Sequence, residues 1–94
     1  MSSSAEKRYP GAAEIQNWLV QYLSTELNIS SEEIDVKTPF DRYGLSSMTA
    51  VLMTGELEEW LGSTLDPTLP YDYPTVEALA QHLASIPSQK RAAQ

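Results

Sequence analysis

Apolar residues recur at spacings of three and four along most of this chain, which is the period of an amphipathic α-helix. The first such segment predicts a helix from about Ala13 to Leu27. Its inward-facing residues are Ile15, Trp18, Leu19, Tyr22, Leu23 and Leu27. Apolar and polar residues do not alternate with a period of two over the length of a strand. The sequence therefore predicts an all-α fold.

Two further segments keep the helical period. A second helix is predicted from Ser47 to Leu61, because Gly62 follows as a C-terminal cap. Its buried face comprises Ala50, Met53, Thr54, Leu57 and Leu61. A last helix is predicted to begin after Thr75, a suitable N-cap, and to end at about Ala84. Its inward-facing residues are Val76, Leu79, Ala80 and Leu83.

The connections between these helices differ in length. In the long first connection, Ser30 and Glu33 have the spacing of a capping box and predict a helical turn around Ile34. The apolar residues expected to hold this loop on the core are Ile29, Ile34, Val36 and Phe40. The proline-rich stretch 66–74 leaves room for one short helix near Leu69–Tyr71. The predicted architecture is a bundle of three main helices and one short helix, with a long loop between helices one and two.

The 94 residues, 41% of them hydrophobic, are enough for one compact core. Residues 1–11 and 85–94 lack periodicity and are interpreted as flexible tails or linkers around a domain spanning residues 12–84. The chain has no cysteine, and its apolar runs are too short for a membrane span or a secretory signal. We therefore expect a cytoplasmic, monomeric domain that does not enter membranes.

The charge balance restricts the possible partners. Six Lys and Arg against thirteen Asp and Glu give a formal net charge of −7, which repels nucleic acids and anionic membranes and attracts basic protein surfaces. The carboxylates of Glu56, Glu58 and Glu59 have no His or Cys close by in the sequence, so no metal site is predicted.

A pair of serines, Ser46 and Ser47, follows Gly44 at a loop-to-helix junction, where the nucleophiles of many hydrolases lie. The second glycine of such an elbow is missing, and the single histidine, His82, is expected on the solvent side of the last helix without a partner. No catalytic residue is therefore predicted, and a small serine hydrolase is the least favoured interpretation. Two possibilities remain for the serines: they cap the helix, or Ser47 carries a phosphate ester that the helix N-terminus stabilises.

The run from Tyr43 to Val51, Tyr-Gly-Leu-Ser-Ser-Met-Thr-Ala-Val, resembles the phosphopantetheine attachment site of acyl carrier proteins, which usually reads Gly-Leu-Asp-Ser-Leu or Gly-Leu-Asp-Ser-Met. The run from Leu69 to Ala80 is similar to the segment that enters the last helix in carrier domains of modular polyketide synthases. With Thr38-Pro39-Phe40, the resemblance extends over about residues 12–84. Peptidyl carriers usually have Gly-Gly before the site, so Tyr43 favours an acyl or polyketide carrier.

The resemblance implies a domain that is not itself an enzyme and that carries acyl, polyketide or related fatty acyl groups as thioesters on 4′-phosphopantetheine at Ser47. The arm would come from coenzyme A through a phosphopantetheinyl transferase. The other implied partners are an acyltransferase or acyl ligase, a ketosynthase and tailoring enzymes. Partner recognition is expected at the second helix and the preceding loop, through Gly44, Leu45, Ser46, Met48, Val51, Leu52, Glu56, Glu58 and Glu59.

The sequence departs from the family pattern at two positions. Ser46 replaces the usual aspartate, which leaves open an unmodified helical interaction module or a carrier homologue that has lost modification. Leu52 stands where polyketide carriers often have glutamate, and it is either an exposed apolar contact or a core residue. Trp18 and Tyr22 are expected in or at the edge of the core, and Trp60 is expected beside the partner surface.

Overall fold

The computed structural model describes the backbone of residues 9–92 and the side chains of residues 9–86. Within this range the α-helices are α1 (Ala12–Leu27), α2 (Ser47–Leu61), α3 (Leu69–Asp72) and α4 (Val76–Ala92). Two 3₁₀ turns, Ser31–Glu33 and Phe40–Tyr43, lie between α1 and α2. The described residues form no β-strand beyond an isolated bridge between Pro39 and Thr75. The predicted all-α bundle is confirmed, and none of the described helices is long and apolar enough to cross a bilayer.

Helix α1 begins one residue earlier than predicted. The Glu14 carboxylate accepts a hydrogen bond of 3.1 Å from the backbone N–H of Gly11, which stabilises the first turn. Asn28 ends the helix in the left-handed conformation, with φ of 60°. Residues Ile15, Leu19 and Leu23, four apart, are fully buried, and α1 packs mainly against α4.

Helix α4 is capped as predicted but extends further. The Thr75 hydroxyl accepts a hydrogen bond of 3.1 Å from the N–H of Ala78. The predicted inward residues Val76, Leu79, Ala80 and Leu83 are all buried. The predicted end near Ala84 is wrong, because the helix continues to Ala92 through most of the predicted tail. The apolar stripe fades after Ile86, whereas the backbone hydrogen bonds of a helix continue without it. Residues 1–8 and 93–94 of the predicted tails lie outside the described range.

The long first connection is attached to the core by packing and by hydrogen bonds. Ile34 and Phe40 are buried, and Ile29 and Val36 pack against the same cluster, as predicted. The hydroxyl of Ser30 opens the first 3₁₀ turn, where it accepts a hydrogen bond from the N–H of Glu32. The loop therefore has a defined path despite containing little regular structure.

Two tyrosine hydrogen bonds and two backbone hydrogen bonds fix that path. The Tyr43 hydroxyl accepts from the N–H of Asp35 at 2.7 Å and donates to its carbonyl at 2.9 Å. The N–H of Phe40 donates to the carbonyl of Pro74 at 2.7 Å. The N–H of Glu77 donates to the carbonyl of Val36 at 3.0 Å. Residues 36–40 are thus tied to the start of α4, and we call this pairing the loop strap.

Gly55 provides a test of the helix energetics. It lies on the exposed side of α2, and a Cβ added there would meet no atom within 4 Å. Because glycine costs a helix interior about 1 kcal/mol relative to alanine, we expect Gly55→Ala to raise the free energy of unfolding by about 0.5–1 kcal/mol. Urea denaturation followed by circular dichroism measures the change.

The matched control is Gly62→Ala at the end of the same helix. Gly62 has a φ of 70°, a conformation that costs an L-residue about 1–2 kcal/mol. We therefore expect Gly62→Ala to lower the free energy of unfolding by about 1 kcal/mol. A loss of stability in Gly55→Ala similar to that in Gly62→Ala would contradict the open environment found at residue 55.

Candidate functional site

The hydroxyl of Ser47 lies at the first residue of α2, on the protein surface. The chain reaches it from the second 3₁₀ turn through Gly44, whose φ of 76° favours glycine and whose N–H donates to the carbonyl of Asp41 at 3.1 Å. The predicted start of the helix at Ser47 and its end at Leu61 are both confirmed. Ser47 is thus presented by a turn on one side and a helix on the other.

Ser46 is the N-cap of α2, as predicted. Its Oγ accepts a hydrogen bond of 3.2 Å from the N–H of Thr49 and lies 3.1 Å from the Thr49 hydroxyl. Its carbonyl accepts from the N–H of Ala50 at 3.0 Å. Within the described part of the chain, the N–H groups of Ser47 and Met48 have no acceptor. Two donors at the positive end of the helix dipole are therefore available to an anion on Ser47.

The described residues place no general base beside Ser47. Its hydroxyl has no hydrogen-bond partner among residues 9–86. His82, expected to be a solvent-side residue without a partner, is half-buried and stacks on Tyr73, with ring centroids 4.2 Å apart and planes 13° from parallel. The imidazole thus has a packing partner that the sequence did not indicate.

A groove with a volume of about 580 Å³ opens beside Ser47. It lies between the second 3₁₀ turn, the first turns of α2 and helix α3. Apolar side chains supply much of its lining, and the charged Asp41 and Arg42 lie at its exposed edge. The lining residues are Pro39, Phe40, Asp41, Arg42, Leu45, Ser46, Ser47, Ala50, Pro70, Tyr71 and Pro74. A flexible chain attached to Ser47 has room to lie in this groove.

The exposed face of α2 is apolar over its first two turns. Met48, Val51 and Leu52 are 73%, 47% and 56% exposed. Their spacing of three and four places them on one side of the helix, next to Ser47. Leu52 is therefore an exposed apolar contact and not a core residue, which decides between the two alternatives. We call these three residues the apolar stripe.

The three glutamates predicted for partner recognition have different environments. Glu59 is exposed, whereas Glu58 is half-buried and its carboxylate accepts a hydrogen bond of 2.7 Å from the N–H of Leu65. Glu58 therefore holds the loop after α2 in place. Glu56 is exposed and lines a second groove, between α2 and α1. Among the described residues, no three His, Cys, Asp or Glu side chains come together as a metal site requires.

Trp60 lies far from Ser47 along the same helix, roughly 20 Å away at 1.5 Å per residue. It is 41% exposed and stacks on Trp18, with ring centroids 5.7 Å apart. Trp18 in turn stacks on Tyr22 at 5.4 Å. Trp18 and Tyr22 are half-buried, as expected for residues at the edge of the core.

Comparison with known proteins identifies the family. Residues 17–83 match the family model described as "Phosphopantetheine attachment site". The chain is 39% identical over 75 residues to one of the phenolphthiocerol/phthiocerol polyketide synthase proteins of Mycobacterium tuberculosis, covering 80% of this chain but 4% of that protein. It is 34% identical over 74 residues to the acyl carrier protein TtuC of Teredinibacter turnerae, covering 79% of this chain and 85% of that protein.

Solved structures agree with this assignment. A free-standing peptidyl carrier protein from Acinetobacter baumannii has a TM-score of 0.77 and 36% identity, covering 81% of this chain and 95% of that one. An acyl carrier protein from Anabaena sp. PCC 7120 with a variant phosphopantetheinylation-site sequence has the same TM-score and 37% identity, covering 81% and 86%. The chain belongs to the phosphopantetheine attachment-site family and is a carrier domain of the polyketide synthase type, whose cofactor is covalently attached 4′-phosphopantetheine.

Proposed function

We propose that Ser47 Oγ is the attachment point of 4′-phosphopantetheine and that acyl or polyketide intermediates travel on it as thioesters. The observation that carries the proposal is the exposed Ser47 hydroxyl at the first residue of α2, at the serine of the family motif. The neighbouring N–H groups of Ser47 and Met48 face no other acceptor in the described chain.

Attachment requires one phosphoryl transfer. Ser47 Oγ attacks the pyrophosphate of coenzyme A at the phosphorus next to pantetheine, the P–O bond to the nucleotide breaks, and the serine proton passes to the transferase or to solvent. The product is a serine phosphodiester and adenosine 3′,5′-bisphosphate. The arm supplies a terminal thiol, a group that this cysteine-free chain does not have.

The start of α2 suits the phosphodiester. Its single negative charge lies where the helix dipole and the free N–H groups stabilise an anion, typically by about 0.3–1 kcal/mol. The Ser46 cap leaves the N–H groups of Ser47 and Met48 free because it uses that of Thr49 instead. Ser46 thus preserves the local geometry that an aspartate cap would give.

Catalysis belongs to the partners in this proposal, since the described chain offers Ser47 no base. The partners are a phosphopantetheinyl transferase, an acyltransferase or acyl ligase, a ketosynthase and tailoring enzymes. They would dock on the apolar stripe and on the loop residues Gly44 and Leu45, with Glu59 facing basic side chains. Such contacts are small and partly electrostatic, so we expect them to be short-lived and weakened by salt. Use of coenzyme A by the transferase makes a cytoplasmic location part of the proposal.

Intact-mass measurement tests the attachment site directly. The unmodified chain is incubated with coenzyme A and a broad-specificity phosphopantetheinyl transferase, alongside Ser47→Ala and its neighbour control Ser46→Ala. We expect one phosphopantetheine adduct on the wild type and on Ser46→Ala, and none on Ser47→Ala. A wild-type chain that is folded by circular dichroism yet gains no mass would favour an unmodified interaction module instead.

The role of Ser46 as the cap of α2 gives a separate prediction. Replacing an N-cap serine with alanine costs about 1 kcal/mol, whereas aspartate caps equally well. Ser46→Ala should therefore lower the free energy of unfolding by about 1 kcal/mol and Ser46→Asp should not lower it. Ser47→Ala is the matched control and should change stability by less than about 0.5 kcal/mol, because its hydroxyl has no partner in the described chain. Equal stability of Ser46→Ala and wild type in urea titrations would contradict the cap.

The apolar stripe can be tested without disturbing the core. Leu52→Gln keeps the side chain's approximate size but makes it polar, and Leu52 is already exposed, so the melting temperature should stay within a few degrees. Initial rates of phosphopantetheine transfer at subsaturating carrier should fall about three- to tenfold, which corresponds to about 1 kcal/mol of lost apolar contact. Ala13→Gln, at an exposed position on α1, should leave the rate unchanged. An unchanged rate in Leu52→Gln would remove Leu52 from the docking surface.

A further inference from the structure

A second groove, distinct from the one beside Ser47, lies between α1 and α2 and has a volume of about 410 Å³. Its lining residues are Trp18, Gln21, Tyr22, Thr25, Glu26 and Glu56. Glu56 is nine residues after Ser47, which is two and a half helical turns along α2. We call this site the α1–α2 groove.

Aromatic rings form one wall of the groove. The rings of Tyr22 and Trp18 are 11° from parallel, and those of Trp18 and Trp60 are 18° from parallel. Because each ring is packed against another, the stack presents flat surfaces in a fixed orientation. Trp18 and Tyr22 are only half-buried, so part of this wall faces the groove.

Two carboxylates approach the aromatic wall, one from each helix. Glu26 lies one turn after Tyr22 on α1, and Glu56 lies one turn before Trp60 on α2. The pKa of Tyr22 is raised above its usual value, first by burial and then by the negative charges of Glu26 and Glu56. That electrostatic effect shows that both carboxylates act on the same ring.

No cation of the described chain balances these charges. Among residues 9–86, neither Glu26 nor Glu56 forms an ion pair or a side-chain hydrogen bond. Both side chains are exposed and stay ionised at neutral pH without a counter-charge. The groove therefore combines negative potential with π faces, and each of these attracts the same kind of group.

We propose that the α1–α2 groove binds an arginine side chain of a partner protein. A guanidinium group is planar, stacks on aromatic rings, and donates paired hydrogen bonds to carboxylates, so it matches the wall and both acidic positions at once. A lysine ammonium satisfies the charge but not the flat surface. The net charge of −7 brings basic protein surfaces toward this face as well.

This surface is separate from the apolar stripe next to Ser47. A partner held at the α1–α2 groove leaves the start of α2 uncovered, so one protein could hold the domain while another acts on the arm. The binding does not depend on modification of Ser47. The unmodified chain is therefore the right sample, and failure here is distinguishable from failure of the mass experiment.

The experiment is an NMR titration of the ¹⁵N-labelled unmodified chain at low salt. The probe is the peptide acetyl-Gly-Arg-Gly-amide, and its matched control carries citrulline, which has the shape of arginine without the charge. The indole N–H signals of Trp18 and Trp60, the two tryptophans of the chain, report on the groove. We expect saturable shifts of these signals with the arginine peptide and affinity at least about fivefold weaker with citrulline, as a cation–π contact of about 1 kcal/mol predicts.

Charge-matched variants separate the groove from general attraction. Glu26→Gln/Glu56→Gln should weaken the arginine peptide at least about fivefold. Glu32→Gln/Glu33→Gln removes the same charge from exposed positions of the first 3₁₀ turn and should change the affinity less than about twofold. Equal weakening by the two double variants, equal binding of the citrulline peptide, or no saturable shift of the indole signals would each overturn the proposal.

Discussion

The loop strap is the interaction on which the rest of the site depends. It consists of two backbone hydrogen bonds, Phe40 to Pro74 and Glu77 to Val36, that join segments more than thirty residues apart in the chain. Burial of Phe40 in the core supports the same contact from the other side. Because the strap holds the end of the long connection against the start of α4, it also determines where Gly44 turns the chain into α2. The position of Ser47 therefore depends on the tertiary structure, although its helical turn is local.

Helix α2 has three faces with different tasks. One face is buried through Ala50, Met53, Thr54 and Leu57. The outward face combines the apolar stripe with Gly55, a residue that stabilises neither the core nor the helix. The flank toward α1 carries Glu56 and Trp60. Exposed apolar groups and a helix-interior glycine lower stability or solubility, and contact with partner proteins gives a physical reason for both.

The neighbours in structure include both an acyl carrier and a peptidyl carrier with the same TM-score. The backbone fold is thus compatible with more than one class of cargo, and side chains must set which partners approach. In this chain the distinguishing side chains are Ser46, Leu52 and the acidic and aromatic groups of the α1–α2 groove. The Ser46 cap shows how a departure from the family pattern can keep the local geometry while changing the charge beside the serine.

The sequence by itself determined the all-α class, the bounds of α2, the caps at Ser46 and Thr75, and the buried faces of α2 and α4. These features follow from apolar spacing and from cap chemistry within a few residues, which are visible in the linear chain. Only the tertiary structure decided that Leu52 is exposed, that Glu58 binds the N–H of Leu65, that Trp60 reaches Trp18, and that His82 stacks on Tyr73. It also decided the loop strap and the extension of α4 to Ala92. Each of these depends on groups that packing brings together from separate elements, or on a backbone ladder that continues after the apolar pattern ends, and neither leaves a periodic signal in the sequence.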